Sequence, residues 1–380
     1  MNTRLLVALA LPLLFIAPGL PEPRLSADQD ETLNTAEGTQ GPAVVSTIAF
    51  TSTRDNHGAS WAVPPIVGGE IYFIDYMDDA TFSAPRRMTA NTYTDIFPAL
   101  SPDGKGKVVF DSNRRRTPSE PVNTSDLFLM NHDATELQFL TRGGSPTWSP
   151  PGPHGKASKN IAFHASASGT GLPINTFPGA ATEDSDIFTV NVDDLLENGA
   201  VPRNLTVDRV ATVDDDPNWS PDGGSIIFTS YVPTPSSTLT SSEIYIMNAD
   251  GTGQPQQLTK DGIEKRGAAW SPDGLRILFA CRSGAPAANA PTVASFEICV
   301  MDAVANSPIT QLTLNNISEL TPTWSPDGQL IVFHRVPSNQ LWVMPADGSA
   351  PPAQLTAAFS SGFNLLATSW SVIAVGKRAR

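Results

Sequence analysis

One short phrase constrains this chain more than any other feature. Trp-Ser-Pro-Asp-Gly is written at Trp219–Gly223, Trp270–Gly274 and Trp324–Gly328. Variants stand at Leu100–Gly104 and Trp148–Gly152, and a last Trp370-Ser371 comes near the end. In the stretch Asp216–Phe228 the phrase links two apolar runs, one ending at Trp219 and one holding Ile226, Ile227 and Phe228. Pro presets φ for the second residue of a turn, Asp can bond its own backbone, and Gly takes positive φ, so the phrase reads as a tight turn between strands. Its recurrence is the mark of a repeat architecture.

Four columns of residues follow the same rhythm. The first is Leu100, Trp148, Trp219, Trp270, Trp324 and Trp370. The second is Phe50, Phe110, Phe163, Phe228, Phe279 and Phe333, spaced 51 to 65 residues apart. The third is a pair at Ile71-Tyr72, Leu127-Phe128, Ile187-Phe188, Ile244-Tyr245, Ile298-Cys299 and Leu341-Trp342. The fourth is Met88-Thr89, Leu140-Thr141, Leu205-Thr206, Leu258-Thr259, Leu312-Thr313 and Leu355-Thr356. Each column sits in a short run of β-branched and aromatic residues bounded by Gly, Pro, Asn or Asp, which is a strand signal. Four strands repeated six times predict an all-β chain folded as a six-bladed β-propeller of antiparallel strands. Phe50 has no Trp strand before it, and Trp370 has no Phe strand after it. The strand over Leu366–Ala374 is therefore expected to complete the first blade and close the ring, which removes the open edges of an array.

Trp-Ser-Pro-Asp-Gly, the Ile-x-Phe at Ile226–Phe228, Ile244–Gly251 and Gln257–Thr259 together resemble the TolB-type β-propeller repeat, a WD40-like family. The resemblance covers Val44–Ala374. It implies a six-bladed propeller in the bacterial periplasm and a protein-binding module. The family's α/β domain before the propeller has no counterpart expected here, because only about twenty residues of mature chain precede Val44. Similar blades occur in prolyl-oligopeptidase-type enzymes with an α/β-hydrolase domain attached. Here only the basic tail 375–380 follows Ala374.

The remaining ranges read by composition. Residues 1–19 are expected to be a signal peptide, with Arg4 ahead of the apolar core Leu5–Ala17 and a cleavage site at Ala17-Pro18-Gly19. That core is shorter than the ~17–25 residues a membrane helix needs. Residues 20–43 read as a disordered acidic leader and 44–374 as the propeller. The expectation is a periplasmic or secreted monomer with no membrane span after signal cleavage. A net charge of −14 argues against a nucleic-acid partner, which wants a basic face.

Strand alternation assigns two faces. The Ser-Pro-Asp-Gly turns share one with the Asn-Ala-Asp-Gly-like turns, where Asp and Gly are turn formers. The other carries the loops Arg54–Gly69, Asn113–Ser125, Ser166–Ser185, Tyr231–Ser242, Arg282–Ser295 and Arg335–Asn339, together with the inter-blade links. Long loops on a rigid scaffold are where binding concentrates. Asp95, Asp214, Asp216, Glu264 and Glu319 fall in or beside the links and are the candidate ligand-binding residues at the channel mouth. Such a ring of carboxylates could also hold a hard cation such as Ca²⁺, although no EF-hand spacing is present. No other cofactor is expected.

Catalytic motifs are missing: no Gly-x-Ser-x-Gly, no His-Glu-x-x-His and no phosphate loop. His57, His132, His154, His164 and His334 show no ligand spacing, and a structural role is expected for His164 and His334 on their strands. Asn123, Asn204 and Asn316 open glycosylation sequons that read as chance matches. Cys281 and Cys299 lie on adjacent predicted strands. They read as a disulfide or as two buried thiols. Two functions stay open: a non-enzymatic propeller binding a protein, peptide or envelope polymer over the channel, or a propeller hydrolase or lyase with a divalent metal at the channel mouth.

Overall fold

The computed structural model describes residues 42–53, 68–104, 106–117, 120, 125–151, 159–166, 185–207, 209, 212–232, 241–283, 295–336, 340–356 and 364–371, with no side chains described at 364–369 and 371. The expected signal peptide, the leader up to residue 41, the basic tail, His57, His154, Asn123 and the middles of the long loops lie outside the described residues.

The first strands are β1 (Val44–Ser52), β2 (Glu70–Met77) and β3 (Arg86–Arg87). The next four are β4 (Asp95–Leu100), β5 (Lys107–Ser112), β6 (Asp126–Asn131) and β7 (Gln138–Arg142). Then come β8 (Gly144–Trp148), β9 (Asn160–Ser166), β10 (Ser185–Asn191), the short helix α1 (Val192–Asn198) and β11 (Arg203–Asn204). The following group is β12 (Val213–Trp219), β13 (Ser225–Tyr231), β14 (Glu243–Asn248) and β15 (Gln256–Gln257). Next are β16 (Lys265–Trp270), β17 (Arg276–Arg282), β18 (Phe296–Asp302) and β19 (Thr310–Gln311). The last are β20 (Ser318–Trp324), β21 (Leu330–Val336), β22 (Gln340–Pro345), β23 (Ala353–Gln354) and β24 (Asn364–Ser371).

These strands form a β-propeller arrangement. Four sheets have four strands each, and an eight-stranded sheet joins the β8–β11 and β12–β15 groups through one parallel bridge, Ser185 to Val213. Strand β24 pairs antiparallel with β1, so the end of the chain completes the first sheet. The inner strands touch in a closed circuit from β4 through β8, β12, β16, β20 and β24 back to β4. Each hydrophobic cluster is shared by two successive groups, and one joins β21 and β22 to β1 and β2 around Trp370. The core therefore lies between sheets, and the Phe column fills it at no more than 1% exposure.

Each repeated word has a visible task. In the turn, the Ser hydroxyl donates to the Asp carboxylate, at 2.9 Å for Ser101–Asp103 and 2.6 Å for Ser220–Asp222. The same oxygen accepts the backbone N–H that opens the next strand, as from Arg276 to Ser271 at 2.9 Å and Leu330 to Ser325 at 2.9 Å. Gly274 and Gly328 sit at φ 71°, where a Cβ would be strained. The indole of Trp148 donates to the Ala99 carbonyl of the preceding inner strand at 3.0 Å, and Trp370 donates to Ser46 Oγ at 2.8 Å. The Thr of the fourth column is a relay: Thr206 accepts from the Ile187 amide and donates to Asp186, each at 3.0 Å. Thr259 and Thr313 repeat this with Glu243 and Glu297. The polar residue before the third column, at Glu70, Asp126, Asp186, Glu243, Glu297 and Gln340, is thus a fifth column that the apolar pattern hides.

Candidate functional site

Four of the five candidate residues are fully buried and already partnered. Asp95 accepts from Arg114 on both carboxylate oxygens, at 2.7 and 2.9 Å, and from Ser112 and Asn91. Asp214 accepts from Arg209 at 3.0 Å, Glu319 from Arg335 at 2.8 Å, and Glu264 from both Arg266 and Arg282. Each arginine also lies over an aromatic ring: Arg114 over Phe128, Arg209 over Tyr245, Arg335 over Trp342 and Arg282 over Phe296. A guanidinium is planar, so it can meet a carboxylate along its edge while stacking on a ring with its face. These braces recur around the ring, under the loops. They do not form one shared acidic pocket. Among the described residues no group of three or more His, Cys, Asp or Glu is placed to hold a metal ion.

Asp216 differs. It is half-buried on an inner strand, with φ at 49°. Phe97, Ser145, Gly267 and Thr321 occupy the same place on β4, β8, β16 and β20, with φ between 47° and 58°. At each, the pairing with the second strand slips by a residue. A bulge of this kind turns the strand and costs backbone energy at a non-glycine residue. Four of the five positions precede a proline, at Pro98, Pro146, Pro217 and Pro322. That is the signal through which the sequence could have located them.

Around Asp216 lies a polar cluster that residue spacing did not find. His164, on β9, is fully buried, and its Nδ1 meets Asp215 of β12. Asp111, on β5, accepts from the Ser145 amide at 3.3 Å. Burial pushes the Asp111 carboxyl well above its usual range, against the pull of His164. Burial would lower His164, but the charges of Asp215, Asp216 and Asp111 and the Asp215 hydrogen bond outweigh it and leave its pKa raised. Asp216 is raised by burial and then by its neighbour Asp215. Asp214 is pushed up to about 6, first by burial, although Arg209 opposes the shift. His334 is also buried, on β21, and lies apart from this cluster.

Cys281 and Cys299 are joined by a disulfide with their Cα atoms 5.9 Å apart. They stand diagonally across β17 and β18, because Phe279 is opposite Cys299 and Glu297 is opposite Cys281. Asn204, a sequon residue, is tied to Asp186 at 2.6 Å, whereas Asn316 is exposed.

No protein-family model and no curated protein matches this sequence. Solved structures do resemble it. TolB from Acinetobacter baumannii superposes with a TM-score of 0.56 at 19% identity, over 86% of this chain and 66% of that one. A protein assigned as TolB from Agrobacterium tumefaciens gives 0.51 at 16% identity, over 83% of this chain and 89% of that one. A chain of a nidogen/laminin complex gives 0.54 at 11% identity, over 86% and 99%. The chain thus shares the TolB-like propeller fold. It spans just under two thirds of the Acinetobacter TolB chain. At these identities the likeness concerns fold alone.

Proposed function

We propose that this protein is an exported, six-bladed, non-enzymatic propeller that binds a protein, peptide or cell-envelope polymer on its loop face. The observation that carries this reading is the set of buried arginine–carboxylate braces under that face, at Asp95, Asp214, Glu264 and Glu319. They hold the loop bases still while the loops remain free to differ, which suits recognition of a large partner. Exposed apolar side chains lie on the links and loop stems of the same face: Tyr93, Val207, Val232, Leu314 and Ile317. Asp216, half-buried on an inner strand, is the one of the five candidate acids not fully buried and so the one a ligand over the channel would meet. No helix among the described residues is long and apolar enough to cross a membrane. A periplasmic or secreted location accords with the TolB-like fold.

The test uses the full chain, immobilised and exposed to envelope extract. Tyr93→Ser with Leu314→Ser should abolish capture of the bound species. Leu275→Ser with Val304→Ser, in turns of the opposite face, should leave it intact. Loss with the second pair alone places the ligand on the turn face and overturns the reading. A stoichiometric, tightly held divalent ion in the purified protein would favour a hydrolase or lyase.

A further inference from the structure

His164 is fully buried, and acids approach it from neighbouring groups of strands. It lies between three successive four-strand groups, with Asp111 on one side and Asp215 on the other. The backbone makes room for it. A Cβ on Gly144 would come within 2.8 Å of His164 Nε2 and 3.0 Å of Asp111 Oδ2, so both side chains converge on that glycine. On β4, β12, β16 and β20 this position holds Ile96, Asp215, Arg266 and Leu320. Here the side chain has been given up, and an imidazole from the next strand occupies the space. Among the described residues its Nε2 has no hydrogen-bond partner. A buried imidazole left like this is costly unless its charge is answered, and acids answer it from two sides.

We propose that Asp111, His164 and Asp215 form a proton-operated latch across three successive four-strand groups, closed when His164 is protonated and loosened when it is neutral. The electrostatics are those of one cation among acids. His164 faces Asp215 and Asp216 on β12 and Asp111 on β5. Beyond these acids lies Tyr231 on β13, which also feels Arg266 and Glu264. With the proton present, the imidazolium offsets Asp215 and draws on Asp216. Without it, neighbouring acids face each other in a water-poor seam, and the like-charge term is no longer opposed. Asp215 also lies between Asp216 near the axis and Asp214, which holds Arg209 under the loop face. Opening the latch therefore disturbs the loop base as well as the seam.

The direction with pH follows from linkage. His164 is raised, so its contribution is complete below the unfolded histidine value of about 6.5 and is lost as pH rises through the higher folded value. Asp111 and Asp216 are raised too, so they contribute with the same sign. All three tighten the seam on the acid side: the part of Asp216, whose folded value is about 6, is lost as pH rises from about 4 to 6, and His164 carries the loosening above about 6.5.

The experiment is equilibrium unfolding of the full chain between pH 5.5 and 8.5. Above pH ~6.5 the unfolding constant of the wild type should rise with pH, by up to about tenfold per unit for one proton. His164→Gln should lower that slope by one proton. His334→Gln, on another seam, should keep it. A His164→Gln protein that is destabilised equally at every pH, or that keeps the full slope, overturns the latch. Should that variant fail to fold, histidine resonances of the wild type decide. A buried imidazole titrating above the ordinary value supports the proposal, and one titrating at or below it overturns it. Hydrogen exchange localises the effect: β8 and β12 should lose protection relative to β20 as pH rises, and equal protection throughout would count against a latch.

Discussion

Two sets of aspartates carry this fold in opposite electrical states. On the turn face, Asp222 and Asp273 hang at the surface. Hydrogen bonds from Ser220 and Ser271, and from the amides of Gly224 and Leu275, hold their carboxyls below the usual range. Around the inner ring, Asp111 and Asp214 are buried and Asp216 is half-buried, and all three are pushed upward, first by desolvation. The residue type is the same, and the surroundings decide its state. An exposed acid that accepts several N–H and O–H groups favours its anion, whereas desolvation favours the proton of a buried one, at Asp214 even against the pull of Arg209. The turn acids are local devices that each serve one hairpin, and the inner acids join strands distant in sequence.

The comparison can be broken most severely at Asp95. Asp95→Ala leaves Arg114 largely buried and unpaired, and removing one partner of a buried pair costs about 3–5 kcal/mol. Urea unfolding should show this loss, and a change under 1 kcal/mol would mean that the brace is not structural.

A second cut separates the two classes by pH. Asp214 has a folded value near 6. Its contribution to stability is fully present below about 4 and is lost as pH rises towards 6, because the folded state holds the proton longer. Asp214→Asn should therefore flatten the wild-type fall in stability over that window, by roughly 1–3 kcal/mol. The lowered Asp222 and Asp273 act with the opposite sign. Their contribution exists above about 4 and disappears as pH drops through their lower folded values. Melts of Asp214→Asn and Asp273→Asn across pH 3–7 should diverge from wild type in opposite directions.

Gly328 tests the turn itself. At φ 71° an alanine is strained by about 1–2 kcal/mol, so Gly328→Ala should lower the melting temperature without changing its pH dependence. The smallest effect belongs to Asp273→Ala, which removes two hydrogen bonds from one exposed turn and should cost about 0.5–1.5 kcal/mol. Ligand capture should be unchanged in both turn variants.

Much of the fold was legible because its determinants are local. A turn that needs Pro, Asp and Gly at set places, and a strand that needs a buried Phe, write themselves into consecutive residues. Trp219, Phe228 and Tyr245 could be placed on successive strands from the repeat alone, whereas Leu258 falls just past the short fourth strand, which ends at Gln257. The pairing of the last strand with Val44–Ser52 followed from counting the columns. The roles of the acids were not legible in this way. Asp95 and Asp216 look alike in the sequence, yet one is sealed against Arg114 and the other is half-buried near the axis on a strained residue. The partner of His164 lies in the next four-strand group, on β12, and nothing near His164 in the chain announces it. The sequence by itself determined the repeat, its turns and its buried aromatic columns, because short-range sterics and the alternation of apolar residues act within each hairpin. The tertiary structure alone decided which carboxylates meet arginines and which meet His164, because burial and charge pairing depend on which blades the closed ring places side by side.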